Sequence, residues 1–139
     1  MKRFVLFGVA TAILCAGLLA VFVGGIFYLT RPVVDSSEQF LALLGEGRID
    51  EAYASTADAF RAQQDEKSFT TAVRQFGLAD YSSVVWHSRQ IENQDGSVEG
   101  TVITKTSATK PVAIRLIWES GRWAVVGVRY GGEELLPRR

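Results

Sequence analysis

Cysteine, histidine and, over one long segment, charge are scarce in this chain. Its 139 residues include one cysteine and one histidine, too few for an intramolecular disulfide or a metal site built from several such ligands. Residues 4–29 contain no Asp, Glu, Lys or Arg. The formal net charge is zero, with 15 basic and 15 acidic side chains, which excludes a strongly basic nucleic-acid binder.

The uncharged segment Phe4–Leu29 predicts a membrane-spanning helix. Its 26 residues would form a helix of about 39 Å, which exceeds the roughly 30 Å of hydrocarbon in a bilayer. A cleaved signal peptide is the alternative, but its apolar region covers only about 7 to 15 residues. A lipoprotein signal would place a small residue before the modified cysteine, whereas Leu14 precedes Cys15. We expect residues 1–32 to be an uncleaved membrane anchor.

The charges that flank this segment predict its orientation. Lys2 and Arg3 precede it and Arg31 alone follows it, and Lys and Arg are retained on the cytoplasmic side of a span. We therefore expect the N terminus in the cytoplasm, the anchor in the cell (inner) membrane, and the remaining domain in the periplasm or its extracytoplasmic equivalent.

Three short amphipathic helices are predicted between residues 36 and 77. They cover residues 36 to 45 or 47, about 50 to 61, and 66 to 77. Ser36 is the expected N-cap of the first helix, and the third follows Asp65 and ends at Gly77, where glycine adopts the left-handed conformation readily. Apolar side chains recur at spacings of three and four in each of them, which is the helical period.

Four extended strands with turns between them are predicted after residue 80. They cover Ser83–Glu92, Ser97–Ser107, about Val112–Glu119, and Trp123–Tyr130. Gly100 and Gly127 lie inside strands and predict a bulge or bend there. We expect an α+β domain over residues 33–130, with the three helices packed on a curved four-stranded antiparallel sheet, followed by a fraying tail, residues 131–139.

This order resembles the nuclear transport factor 2-like, or cystatin-like, superfamily. The resemblance is carried by Phe40–Gly47 followed by Ala52-Tyr53, by Phe69–Gly77, and by the last hairpin, Leu116–Val125, with its Glu-x-Gly-x-Trp-x-Val pattern. It implies a cone-shaped fold with a pocket at the open end. The superfamily includes isomerases, dehydratases and non-catalytic membrane-tethered domains, so the fold does not decide the function.

The resemblance also supplies two opposed interpretations of the aromatic side chains. A pocket would be lined by Tyr53, Phe60, Phe76, Tyr81 and Trp86. In that case the protein would be a small-ligand binder or an enzyme. The same rings would otherwise form an ordinary hydrophobic core, which is the more common use of aromatic residues at these spacings.

Catalytic and cofactor signals are weak in the sequence. His87 is predicted on the outer side of the first strand if Trp86 points inward, and an exposed histidine beside Arg89 is a surface residue more often than a general base. Acidic pairs such as Asp65-Glu66 stand at helix starts, where the helix dipole explains them. The sequence has no Gly-rich phosphate loop and no nucleophile motif, so we expect no cofactor, and a non-catalytic protein is favoured over an enzyme.

Charge is distributed unevenly along the domain. Residues 33–80 carry a net charge of −5 and residues 81–139 a net charge of +2. A basic stripe on the outer sheet face is predicted from His87, Arg89, Lys105, Arg115 and Arg129. Such a stripe would face lipid phosphates or an acidic partner; the alternative is a solvated face of mixed charge.

These observations favour a non-catalytic, single-pass membrane protein with an extracytoplasmic docking or scaffold domain. The expected partners are the bilayer and a membrane protein or a second copy of the chain, and not nucleic acid. The anchored arrangement is similar to the inner-membrane scaffold subunits of type IV secretion systems, although this domain is shorter.

Overall fold

A computed structural model of the chain describes residues 30–136. The elements in chain order are α1 (30–45), α2 (Ile49–Ala54), α3 (Asp58–Gln63), α4 (Glu66–Phe76), a short 3-10 turn (Leu78–Asp80), β1 (Tyr81–Glu92), β2 (Asp95–Thr104), β3 (Thr109–Glu119), β4 (Arg122–Tyr130) and β5 (Glu133–Leu136). The chain divides into the units Met1–Arg31 and Pro32–Arg139. All five strands belong to the second unit.

The predicted anchor falls mainly outside the described residues. Residues 1–29, with Lys2 and Arg3, are not among them. Within residues 30–136, no helix is both long enough and apolar enough to cross a bilayer. The anchor, its orientation and its location therefore stay predictions.

The strands form one antiparallel sheet in the order β1-β2-β3-β4-β5. The four predicted strands are present, and residues 133–136 add a fifth where a fraying tail was expected. Gly131 and Gly132 have φ values of 64° and 86°, which is the pattern of a two-residue hairpin turn whose twist suits antiparallel strands. This turn brings Glu133 opposite Tyr130.

The two faces of the sheet differ in burial. The inner face, defined by Val98, Val102, Val112, Ile114, Leu116 and Val128, is at most 3% exposed. The outer face, defined by Glu99, Thr101, Ala113, Arg115 and Arg129, is exposed or half-buried. The helices pack on the inner face, as predicted for an α+β domain.

The first helix begins earlier than predicted. Residues 35–38, expected to contain its N-cap, lie inside α1, which is already helical at residue 30. The Ser37 hydroxyl donates a hydrogen bond to the Val33 carbonyl oxygen at 2.9 Å. Serine can satisfy its hydroxyl inside a helix in this way, so a serine-rich segment was a misleading start signal.

The single helix predicted for residues 50–61 is two helices. Between α2 and α3, the backbone N–H of Ala57 donates to the carbonyl oxygen of Val125 at 2.8 Å. This contact covers the part of β4 that β5 does not reach and gives an edge strand a partner. The break is therefore caused by a tertiary contact that sequence periodicity does not reveal.

The third predicted helix is confirmed as α4. The Asp65 side chain accepts a hydrogen bond from the backbone N–H of Ser68 at 2.7 Å, and Gly77 is left-handed with φ 79°. The N-cap bond lowers the pKa of Asp65, because it stabilises the ionised carboxylate.

Helix α1 runs along the inner face of β1 and β2. Near its start, the Val33 side chain lies over Gly96, where an added Cβ would come within 3.3 Å of it. Halfway along, Glu38 accepts a hydrogen bond from the indole N–H of Trp86. The sheet end at which α1 begins is called here the entry end, and it contains the β1–β2 and β3–β4 hairpins.

Candidate functional site

Four contacting rings occupy the space between the helices and the inner sheet face. Phe40, Phe60 and Phe69 are at most 1% exposed. Ring centroids are 5.4 Å apart for Tyr53 and Phe69 and 5.8 Å apart for Phe60 and Phe69. The Tyr53 hydroxyl donates to the Gln64 carbonyl oxygen at 2.8 Å. Tyr53 and Phe60, two of the predicted pocket residues, thus belong to this ring cluster of the core.

The other three predicted pocket residues are half-buried at the edge of the core. Phe76 ends α4, and Tyr81 and Trp86 lie on β1. The Trp86 indole N–H donates to the Glu38 carboxylate at 2.9 Å. Burial, and then the nearby Glu38, raises the pKa of Tyr81. These side chains join the helices to β1.

A bulge in β1 changes which residues lie on the same sheet face as His87. Trp86 pairs with Gly100 and Ser88 with Glu99, so His87 is the extra residue. Its Nε2 lies 2.9 Å from the Thr101 hydroxyl on the outer face. Beyond the bulge, Arg89 pairs with the inner-face residue Val98. His87 and Arg89 therefore lie on opposite faces, and the stripe does not contain Arg89.

Lys105 also lies away from the stripe. Its ammonium group donates to the carbonyl oxygens of Gly45, at 2.7 Å, and Ala79, at 3.3 Å. These are carbonyls near the end of α1 and in the 3-10 turn, where a lysine supplies donors that the backbone lacks. Lys105 is thus a structural cap at the sheet end opposite the entry end.

Arg115 and Arg129 remain together on the outer face. Ala113 pairs with Arg129, and Arg115 pairs with Gly127, so the two arginines are diagonal neighbours on β3 and β4. They line a groove of about 240 Å³ together with Ser97 and Glu99. Among the side chains that the structure describes, which do not include those of residues 133–136, neither guanidinium has an ion pair; on the backbone, Arg129 pairs with Glu134 of β5. We call these two residues the arginine pair.

The groove exists because the residues between the two arginines have small side chains and because the strand register is shifted beside them. Gly127 has no side chain and Ala113 has one methyl group. The register shift between Arg115 and Leu116 leaves Val126, next to Gly127, as an extra residue in β4. Opposite Gly100 the extra residue is His87 on the neighbouring strand β1, and the pairing of β2 with β3 has no shift. A second groove of about 400 Å³ lies on the other side of Arg115 and is lined by the acidic residues Glu92 and Asp95.

A third, larger cleft was not predicted. It measures about 510 Å³ and is lined by polar side chains from the end of α3 and from α4. Gln64 also lines this cleft, and its side-chain oxygen is buried without a hydrogen-bond partner among the described residues. No sequence signal singled this cleft out, because glutamine, serine and threonine are ordinary on the exposed side of a helix. Among the side chains that the structure describes, no group of three His, Cys, Asp or Glu could hold a metal ion.

Three solved structures that are similar to this one can be compared with it. A designed NTF2-like protein, Rd1NTF2_05 with five substitutions, has a TM-score of 0.50 and 15% identity over 74% of this chain and 96% of that chain. A Campylobacter jejuni protein described as an NTF2-like transpeptidase has a TM-score of 0.50 and 17% identity over 66% and 94%. A phospholipid-binding protein from Ralstonia solanacearum has a TM-score of 0.49 and 12% identity over 76% and 79%.

The structural neighbours confirm the fold part of the resemblance. The fold is NTF2-like. No protein-family model matches the sequence, and no curated protein matches it. At these identities the similarity concerns the fold, which many unrelated functions share.

Proposed function

We propose that this is a single-pass protein of the cell (inner) membrane whose extracytoplasmic NTF2-like domain docks a partner without catalysing a reaction. The proposed partner is a membrane protein, or a second copy of the chain, with an acidic group exposed. The proposed orientation is N terminus in, domain out, as the charges of Lys2, Arg3 and Arg31 predict.

The observation that carries this proposal is the arginine pair. Arg115 and Arg129 are exposed on either side of a shallow groove, and an Arg fork matches a carboxylate in two parallel hydrogen bonds. Glu99 borders the same groove. Because its carboxylate repels another acidic group, such a group binds favourably only where it lies close to the arginines. This arrangement favours a defined contact over general attraction to anions.

The filled interior supports the non-catalytic part of the proposal. The ring cluster of Phe40, Tyr53, Phe60 and Phe69 fills the space between the helices and the inner sheet face with apolar contacts. His87 is exposed and bonded to Thr101. A catalytic base generally needs a desolvated position beside a substrate cavity.

Site-specific photo-crosslinking tests the docking face. p-Benzoylphenylalanine placed at Ala113, between the two arginines, is expected to give a discrete crosslinked product in intact cells. That product should be lost when Arg115→Glu and Arg129→Glu are combined in the same chain. The matched control is Arg74→Glu, an exposed charge reversal on α4, which should leave the product unchanged.

The outcomes separate the parts of the proposal. A crosslink to a second copy identifies a homo-oligomer, and a crosslink to another membrane protein identifies a complex. A product that persists in the double charge reversal would show that the arginine pair does not dock it. A protein that remains in the soluble fraction after cell lysis would contradict the anchor.

A further inference from the structure

Two of the three large hydrophobic side chains exposed in the described part of the chain lie at the entry end. Trp118 is 44% exposed and Ile91 is 37% exposed. Ile91 pairs with Gly96, a buried residue on the inner face of β2. The backbone N–H of Trp118 donates to the Gln94 carbonyl oxygen at 2.8 Å. Both therefore lie next to the β1–β2 hairpin.

These side chains belong to one apolar ridge. The ring centroids of Trp118 and Trp123 are 5.6 Å apart, and their planes are inclined at 67°. An added Cβ on Gly96 would lie 3.2 Å from the Trp123 ring and 3.3 Å from Val33, so Trp123 and Val33 both lie over Gly96. The ridge, defined by Ile91, Trp118 and Trp123, thus stands beside the start of α1.

Few residues of chain separate the predicted span from this end of the domain. Leu29 is its last residue, and Val33 follows four residues later. Four residues reach at most about 14 Å even when fully extended, and the four in question are partly helical, which shortens the path. The headgroup region of a bilayer is about 5 to 8 Å thick on each side. The ridge is therefore within reach of the outer interface.

From this position we infer that the ridge is a lipid-interface contact, with the Trp118 indole in the headgroup region of the bilayer. The inference rests on the proposed membrane anchor. Tryptophan prefers this depth because its ring is apolar and its N–H is polar. The contact would hold the entry end against the membrane and leave the outer-face arginine pair free for a partner.

Depth-dependent fluorescence quenching tests the inference with the full chain. The variant Trp86→Phe/Trp123→Phe, whose only tryptophan is Trp118, is reconstituted in phosphatidylcholine vesicles. Lipids with a nitroxide on the headgroup should lower its emission by about twofold, and lipids labelled near the chain end should lower it less. The matched control retains only Trp86, through Trp118→Phe/Trp123→Phe, and should change little because Trp86 is bonded to Glu38.

A second measurement does not depend on tryptophan replacement. In a Cys15→Ser background, nitroxide labels are attached at Ser120→Cys and at Ser107→Cys. Both residues are exposed turn positions with positive φ, 50° and 65°, but Ser120 is at the entry end and Ser107 at the opposite end. Only the Ser120 label should show restricted access to a water-soluble relaxation agent when the protein is in vesicles.

Alkaline carbonate washing separates failure of the inference from failure of the anchor. If the chain resists the wash but Trp118 is not quenched and the two labels behave alike, the anchor stands and the ridge contact is wrong. If Trp118 is quenched by the labelled lipids only when the protein has been diluted in detergent before reconstitution, a second copy covers the ridge at higher protein concentration and the inference is wrong. If the chain is extracted by the wash, the proposed anchor fails and the inference fails with it.

Discussion

The inner and outer faces of the sheet differ in burial and in charge, although their residues alternate along the same strands. Along β3, Val112, Ile114 and Leu116 are buried, while Arg115 between them is exposed. The inner face is stabilised by close packing, where each methyl group contributes. The outer face carries small side chains beside exposed charged ones. Stability is therefore expected to depend on the inner face, and docking on the outer face.

The largest predicted effect is at the centre of the ring cluster. Phe69→Ala removes a fully buried ring that contacts Phe40, Tyr53 and Phe60. Unfolding free energy should fall by about 3–5 kcal/mol, measured by urea denaturation of the full chain in detergent.

The matched change for that experiment is on the outer face. Val85→Ala removes apolar atoms from a residue that is 52% exposed, and should change stability by less than about 0.5 kcal/mol. Equal effects of the two substitutions would contradict the division between the faces.

The next largest effect is expected at the β1 bulge. A Cβ at Gly100 would lie 2.4 Å from the Val85 carbonyl oxygen and 2.9 Å from the Trp86 ring. Gly100→Ala should therefore cost about 1–3 kcal/mol, because backbone has to move. Thr101→Ala, next in the strand but on the outer face, is the control. If Gly100→Ala is neutral in the same denaturation experiment, the close approach of the two strands is wrong.

A smaller, pH-dependent effect is predicted for Tyr130 on β4. Burial, and then Asp80, raises the pKa of Tyr130 above its usual value of 10.0. The unfolded chain therefore loses this proton at lower pH than the folded protein, so stability falls as pH rises above about 10. Tyr130→Phe should remove that part of the alkaline loss, as followed by thermal denaturation between pH 8 and pH 11.

At neutral pH, Tyr130→Phe should leave the unfolding free energy nearly unchanged. Among the described side chains, the Tyr130 hydroxyl is buried without a hydrogen-bond partner, so its removal should be nearly neutral, whereas Tyr53→Phe should cost about 1 kcal/mol by removing the bond to the Gln64 carbonyl. A larger loss for Tyr130→Phe than for Tyr53→Phe would show that the Tyr130 hydroxyl has a partner in solution.

The smallest stability effect is predicted for the arginine pair. Arg115→Ser and Arg129→Ser should each change unfolding free energy by less than about 0.5 kcal/mol, because both arginines are exposed and neither guanidinium has an ion pair among the described side chains, which exclude those of residues 133–136. The crosslink from Ala113 should nevertheless weaken. A destabilised domain would mean that these arginines support the fold and would remove the basis for assigning them to docking.

Sequence periodicity predicted most elements of the domain but not their exact bounds. α4 was predicted with both ends because Asp65 and Gly77 act locally, through a bond to Ser68 and a left-handed backbone. The two helices within residues 50–61 were missed because the Ala57–Val125 hydrogen bond joins distant parts of the chain. The fifth strand was missed because it is four residues long and follows two glycines.

The stripe was predicted by strict alternation, and alternation fails at a bulge. Arg115 and Arg129 share one face because Ala113 and Arg129 pair directly. Arg89 was placed wrongly because His87 is an extra residue, after which every side chain points to the opposite face. Lys105 was placed wrongly because two carbonyl groups outside its strand hold its ammonium group.

The sequence by itself determined the element types, the α+β order, the capped α4 helix and the alternation of the strands, because these depend on neighbours within a few residues. Tertiary structure decided which rings fill the interior, where Arg89 and Lys105 point, and that the arginine pair shares one groove. Those features depend on strand register and on contacts between layers, such as Glu38 with Trp86, which form only when distant segments meet.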